Sequence, residues 1–173
     1  MRDGPVAVST PLLRYGPALL WMGVIFVLSS DPFSRGETGR FLLPLLAWLF
    51  PGAAPETLAL LHEALRKVGH LTEYGVLGVL WYRARAYGTA VWVPEAARLA
   101  LLVAVVYAVT DEFHQVLVAS RTGSVVDVAI DAVGAAASLL LLRGSGAARA
   151  ALARHQEKNP GRGTPGPGAS SEG

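Results

Sequence analysis

Apolar and polar positions in this chain fall into blocks rather than into a helical stripe or a period of two. Long apolar runs cover 12–28, 64–81, 96–113 and 125–142, separated by polar, proline- or glycine-containing stretches. A water-soluble helix keeps a polar face opposite its apolar one; these runs barely have one. Each is close to the roughly 20 residues that cross a bilayer as a helix. The pattern predicts an all-α polytopic membrane protein, a four-helix transmembrane bundle. The punctuation agrees with it. Pro17 sits near the start of the first run, where a missing amide is tolerated. Pro32 closes that run by disfavouring the α region at Asp31. Pro94-Glu95 opens the third with an acid at the positive dipole end, and Arg143-Gly144 predicts the end of the fourth.

A further apolar patch at 41–50 lies in the first connection. It is too short to span and predicts an interfacial or re-entrant segment in the first external loop, with Trp48 suited to the interface. Residues 1–11 read as a leader, 12–143 as the membrane domain and 144–173 as a basic, then Gly/Pro/Ser-rich, cytoplasmic tail. Within that tail, 147–158 predicts a short basic surface helix and 159–173 disorder.

Composition strengthens this picture. Of 173 residues, 52% are hydrophobic and only 16% charged, against about 25% charged in soluble domains. Cysteine is absent, which excludes disulfides and thiolate chemistry. The net charge of +2 is scattered over helix ends and carries no nucleic-acid message. Three apolar runs follow the first, so 12–28 reads as a span rather than a cleaved signal. Four spans place Arg2, Arg14, Arg83, Arg85, Arg98, Arg143 and the basic tail on one side. The other side receives only Arg35, Arg40, Arg66, Lys67 and Arg121. The positive-inside rule then puts both termini in the cytoplasm.

That topology gathers the remaining polar residues at the external ends. Ser29, Ser30 and Asp31 close the first run; Lys67, His70, Glu73 and Tyr74 open the second. Asp111, Glu112, His114 and Gln115 close the third, and Arg121, Ser124, Asp127 and Asp131 open the fourth. Residues three or four apart share a helix face. Lys67, His70 and Tyr74 make one stripe, Asp111, His114 and Gln115 a second, and Asp127, Asp131, Gly134 and Ser138 a third, with small residues for close helix approach. Ionisable groups at such depth point to function, with partners supplied by the bundle. Plainer readings exist for each: Asp127 as part of a capping box with Ser124, Lys67 as an interfacial anchor, and the whole set as a packing network.

The segments Ile25-Phe26-Val27-Leu28-Ser29-Ser30-Asp31-Pro32, Lys67-Val68-Gly69-His70-Leu71-Thr72-Glu73-Tyr74, Thr110-Asp111-Glu112-Phe113-His114-Gln115 and Arg121-Thr122-Gly123-Ser124-Val125-Val126-Asp127-Val128 resemble, in order, the VanZ-like family. That family takes its name from a teicoplanin-resistance membrane protein of vancomycin-resistant bacteria. The matching polar positions are Ser29, Lys67, His70, Tyr74, Asp111, Glu112, His114, Gln115, Arg121 and Asp127. The chain departs from the family pattern near Asp131, where an asparagine is often found. The resemblance implies a bacterial plasma-membrane protein acting at the cell envelope, with a link to glycopeptide or lipoglycopeptide resistance. It supplies no reaction.

Two classes of function fit these residues. One is an enzyme acting on a membrane lipid headgroup or lipid-linked envelope substrate. Glu112 or Asp111 would serve as base and His114 or His70 as acid partner. Arg121 and Lys67 would clamp an anionic group, with Tyr74, Gln115, Asp127 and Ser29 also touching substrate. The other is a protein that binds or shields an envelope lipid or amphiphilic antibiotic without transforming it. No cofactor is expected. Asp111, Glu112, His114 and His70 form only a loose oxygen and nitrogen set for a divalent metal.

Overall fold

A computed structural model describes residues 11–30, 35–116 and 123–158. They form five helices: α1 (Pro11–Leu28), α2 (Arg35–Leu49), α3 (Pro55–Arg85), α4 (Pro94–Val116) and α5 (Val125–Lys158). The all-α expectation holds, and the patch at 41–50 falls mostly within α2. Two helices are long and apolar enough to cross a membrane, α1 and the 125–150 stretch of α5. The apolar stretches of α3 and α4 carry charged residues as well, Arg66, Lys67 and Glu73 in one and Arg98, Asp111 and Glu112 in the other.

Helix α3 is the axis of the fold and packs against each of the other four. Arg14 at the start of α1 meets Ala84 and Arg85 at the end of α3, while Ser29 just after α1 meets Asp111 near the end of α4. Helices α1 and α4 therefore run one way and α3 and α5 the other. At 31 residues, α3 is about 46 Å long. Its first turns overshoot the bundle, and α2 packs there: Thr38 Oγ1 lies 3.3 Å from Nε2 of the buried His62.

The interior is built from small residues. Ala96, Ala100, Ala104 and Ala108 recur every fourth position along α4 and are all buried, a smooth ridge on which neighbours approach closely. Between α3 and α5 the approach is closer still. A Cβ on Gly134 would collide with the Leu71 carbonyl, one on Gly75 with the Ser138 hydroxyl, and one on Gly78 would lie 3.3 Å from Ala135. This is the small-residue seam expected from Gly134 and Ser138. The exterior is the reverse: Leu12, Leu20, Phe41, Trp48, Leu102, Phe113, Val125 and Leu141 are each more than half exposed.

The expected stop at Gly144 is not observed. α5 runs through Gly144 and Gly146 and absorbs the separate basic helix expected at 147–158. Neither glycine takes the left-handed conformation a C-cap requires; Gly88, just beyond α3, is the described residue with positive φ, at 78°. An interior glycine costs a helix only about 1 kcal/mol relative to alanine, and the surrounding run is rich in alanine and leucine.

Candidate functional site

The two stripes that share a seam meet most directly. His70 Nδ1 on α3 lies 3.2 Å from Asp131 Oδ1 on α5. The glycine seam fixes this pairing, because Gly134 stands one turn from Asp131 and opposite Leu71. Glu112 on α4 joins them: one ligand atom from each of His70, Glu112 and Asp131 lies within 4.8 Å of the other two. Glu112 is anchored through Oε2, which accepts the Ser124 amide at 2.6 Å. The turn before α5 comes this close because Gly123 has no side chain; a Cβ there would sit 2.8 Å from the Glu112 carbonyl.

Asp111 stands beside this trio, facing α1. Its Oδ2 accepts the Ser29 hydroxyl at 2.7 Å and the Gln115 amide at 3.1 Å. Asp111, Glu112, Gln115, Ser29 and Asp131 are all buried, Asp131 completely. Buried polar atoms normally find a partner. Here Asp111 Oδ1, Glu112 Oε1, Asp131 Oδ2, His114 Nδ1 and the Tyr74 hydroxyl make no hydrogen bond among the described residues, while His70 Nδ1 and Asp131 Oδ1 have only each other, at 3.2 Å. Carboxylates of this kind are costly to bury without compensation.

The remaining predicted residues divide. Tyr74 is buried in the core beside Tyr107, ring centroids 6.3 Å apart. His114 turns away from the trio and lies against Phe26 of α1, centroids 4.7 Å apart. Asp127 donates its amide to Ser124 Oγ at 3.3 Å, which is one half of the capping box. Lys67 is exposed. Arg121 lies outside the described residues, as do Asp31 and the tail from 159 onward.

Spacing alone leaves two participants out of the candidate site. Asp131 belongs to the α5 stripe, and its place four residues beyond Asp127, one turn deeper, is the signal that marks it. Arg66 enters the sequence reading only as one of the basic residues of the external side, yet it lines a cavity of about 160 Å³ together with Leu28, Ser29, Thr38, Gly69, His70 and Glu73. His70 thus belongs both to the buried trio and to the cavity wall. Trp21 braces the wall by donating its indole N–H to the Glu73 carbonyl at 2.9 Å.

A family model described as VanZ/LLP1 matches residues 16–147, a stretch that contains every residue of this cluster. No curated protein and no solved structure matches the chain.

Proposed function

The chain belongs to the VanZ/LLP1 family, and we propose that it is a four-span protein of the bacterial plasma membrane that acts on the polar head of an envelope lipid or lipid-linked substrate. One observation carries this reading: the buried His70–Asp131 pair and three buried carboxylate oxygens without hydrogen-bond partners, Asp111 Oδ1, Glu112 Oε1 and Asp131 Oδ2, converge from α3, α4 and α5, beside a cavity bearing Arg66 and Ser29. A packing network satisfies its members; this one leaves donors and acceptors open.

Membrane depth supports the same reading. If α1 and α5 cross the bilayer, α3 and α4, packed between them, cross with them. His70, Asp111 and Asp131 lie about 18–20 Å along their helices from Arg83, Arg98 and Arg143, at 1.5 Å per residue. With those arginines at the cytoplasmic face, the cluster falls within the outer part of a hydrocarbon core about 30 Å thick. Phe26, Val68, Phe113 and Val126, close in sequence to the cluster, are exposed and suit lipid contact. In this orientation both termini face the cytoplasm and α2 lies along the outer interface.

Cavity size favours a headgroup over an antibiotic. Drug-sized ligands occupy about 300–1,000 Å³, whereas about 160 Å³ is available beside His70. That space suits a phosphate or a single small polar group. Arg66 would clamp its charge and His70, backed by Asp131, would move a proton to or from it. Glu112 and Asp111 would hold the field around the reacting group, and Arg121, three residues before Ser124 in sequence, would be a second anionic clamp. A changed headgroup is the step through which a link to glycopeptide or lipoglycopeptide resistance would run.

The test is lipid analysis of cells making the wild type or Glu112→Gln, with native mass spectrometry of each purified protein. The expected result is a lipid with altered headgroup mass in wild-type membranes only, and a discrete lipid bound to both proteins. Identical lipid profiles with lipid bound to the wild type would favour a binding protein. Identical profiles with nothing beyond bulk phospholipid on either protein would defeat the reading altogether.

A further inference from the structure

We propose that His70, Glu112 and Asp131 form a site for a divalent transition cation, Zn²⁺ or Mn²⁺. Each residue comes from a different helix, and each presents a ligand atom within 4.8 Å of the other two. Ligands around a tetrahedral cation with bonds near 2.1 Å stand about 3.4 Å apart. The His70–Asp131 spacing of 3.2 Å is already close to that, and a bound cation would draw the Glu112 carboxylate in from within 4.8 Å.

Three properties separate this trio from a chance gathering of acids. First, the free atoms are the right ones. Glu112 spends Oε2 on the Ser124 amide and leaves Oε1 open; Asp131 spends Oδ1 on His70 and leaves Oδ2 open, at a fully buried position. Outer partners that hold a ligand in place in this way are a regular feature of metal sites. Second, the carboxylates are deeply buried, Asp131 at 0% and Glu112 at 6% exposure, where unneutralised charge is least tolerated. A dication would offset both. Third, one imidazole with two carboxylates and no thiolate is a mixed nitrogen and oxygen set suited to Zn²⁺ or Mn²⁺. Asp111 and His114 are not part of the 4.8 Å group: Asp111 turns to Ser29 of α1 and to Gln115, and the His114 ring lies on Phe26.

His70 lines the cavity, so a cation on the trio would be reached from the side where Arg66 and Ser29 stand. Its open positions would take water or an anionic oxygen of the headgroup. The inference rests on the reading above for that last role only; the cation site stands on its own residues.

The test uses the full chain in mild detergent, stripped with a chelator and then given Zn²⁺ or Mn²⁺ alone. Elemental analysis of the desalted protein should find about one cation per chain, with a rise in melting temperature and a protein-bound Mn²⁺ resonance. Losing an outer partner typically costs about 10–100-fold in affinity, and losing a ligand should cost at least as much. Asp131→Asn and Glu112→Gln, which keep shape and chain fold, should therefore bind at least about tenfold more weakly. Asp127→Asn, a neighbouring acid outside the trio, should bind like the wild type. No stoichiometric cation on the wild type, equal binding by both trio variants, or equal loss in Asp127→Asn would each overturn the proposal. Metal without any discrete lipid would defeat the headgroup reading and leave this inference intact; lipid without metal would do the opposite.

Discussion

The two ends of the bundle handle their polar groups in opposite ways. At the arginine end, Arg14 donates to the Ala84 and Arg85 carbonyls, the second at 2.8 Å, and its guanidinium lies over the Tyr15 and Tyr87 rings. Tyr82 stacks on Trp92 at 4.6 Å and accepts the Val93 amide at 3.2 Å. Trp81, whose indole N–H is buried without a hydrogen bond, is the exception there, and it is neutral. At the opposite end, the open atoms are oxygens of Asp111, Glu112 and Asp131, the Tyr74 hydroxyl and His114 Nδ1. Among the described residues, one end satisfies nearly all of its buried polar groups, and the other leaves buried carboxylate oxygens without partners. On the function proposed above, the difference separates where stability is made from where it is given up.

The largest effect comes from breaking the frame that both ends share. Gly134→Ala drives a Cβ into the Leu71 carbonyl, and such overpacking costs about 3 kcal/mol. Unfolding in detergent should show that loss, together with disappearance of metal and lipid binding. Gly23→Ala, which meets nothing within 4 Å, is the matched control. A Gly134→Ala protein as stable as this control would mean that the α3–α5 seam does not hold the ends in register.

Next in size is Arg14→Ala. It removes a charged donor shared by two helix-end carbonyls, a loss of about 2 kcal/mol. Stability should fall by that amount, while metal content and headgroup chemistry per folded molecule stay at the wild-type level. If cluster function fell with stability, the two ends would be coupled and the contrast between them would fail.

Asp131→Asn should behave in the opposite sense. With metal stripped by a chelator, the isosteric Asn still offers His70 a carbonyl acceptor and relieves the burial of an anion, so stability should change by less than in Arg14→Ala. Metal binding should nevertheless weaken at least about tenfold, and lipid modification should be lost with it. The comparison with Arg14→Ala is the sharpest available, since the two variants exchange which property is lost. A stripped Asp131→Asn protein destabilised as much as Arg14→Ala would assign the cluster to packing.

Much of this was legible from residue pattern, for reasons that can be named. Apolar blocks of span length mark α1, α3, α4 and α5, and the polar asymmetry between helix ends marks the cluster. Gly134 and Ser138 announce the close seam. What spacing does not reveal is which side chains meet across helices. Asp111, Glu112 and His114 crowd the same turns, yet successive residues point about 100° apart. Asp111 therefore faces Ser29, Glu112 reaches the turn before α5, and His114 lies on Phe26. The His70–Asp131 pair depends on the register of α3 against α5, which backbone contact at Gly134 sets and no spacing along one helix encodes. Asp131 is read from sequence as a stripe member and emerges from the structure as the most buried member of the trio.

The smallest effect sharpens the arginine end. Local chemistry predicts a stop at Gly144, yet α5 continues to Lys158. A glycine inside a helix loses more backbone entropy on folding than alanine does, by about 0.5–1 kcal/mol. Gly144 and Gly146 meet nothing within 4 Å, so an added methyl group has room at both. Gly144→Ala should therefore raise stability by about 0.5–1 kcal/mol, and the pair Gly144→Ala with Gly146→Ala by about twice that. Helical content by circular dichroism should stay the same or rise slightly, with metal binding unchanged. If alanine at Gly144 lowered stability instead, that glycine would be needed in a non-helical conformation, and α5 would end where the residue pattern first places its stop. The arginine end would then be shorter than described, with Arg143 on the last turn of the helix rather than within it.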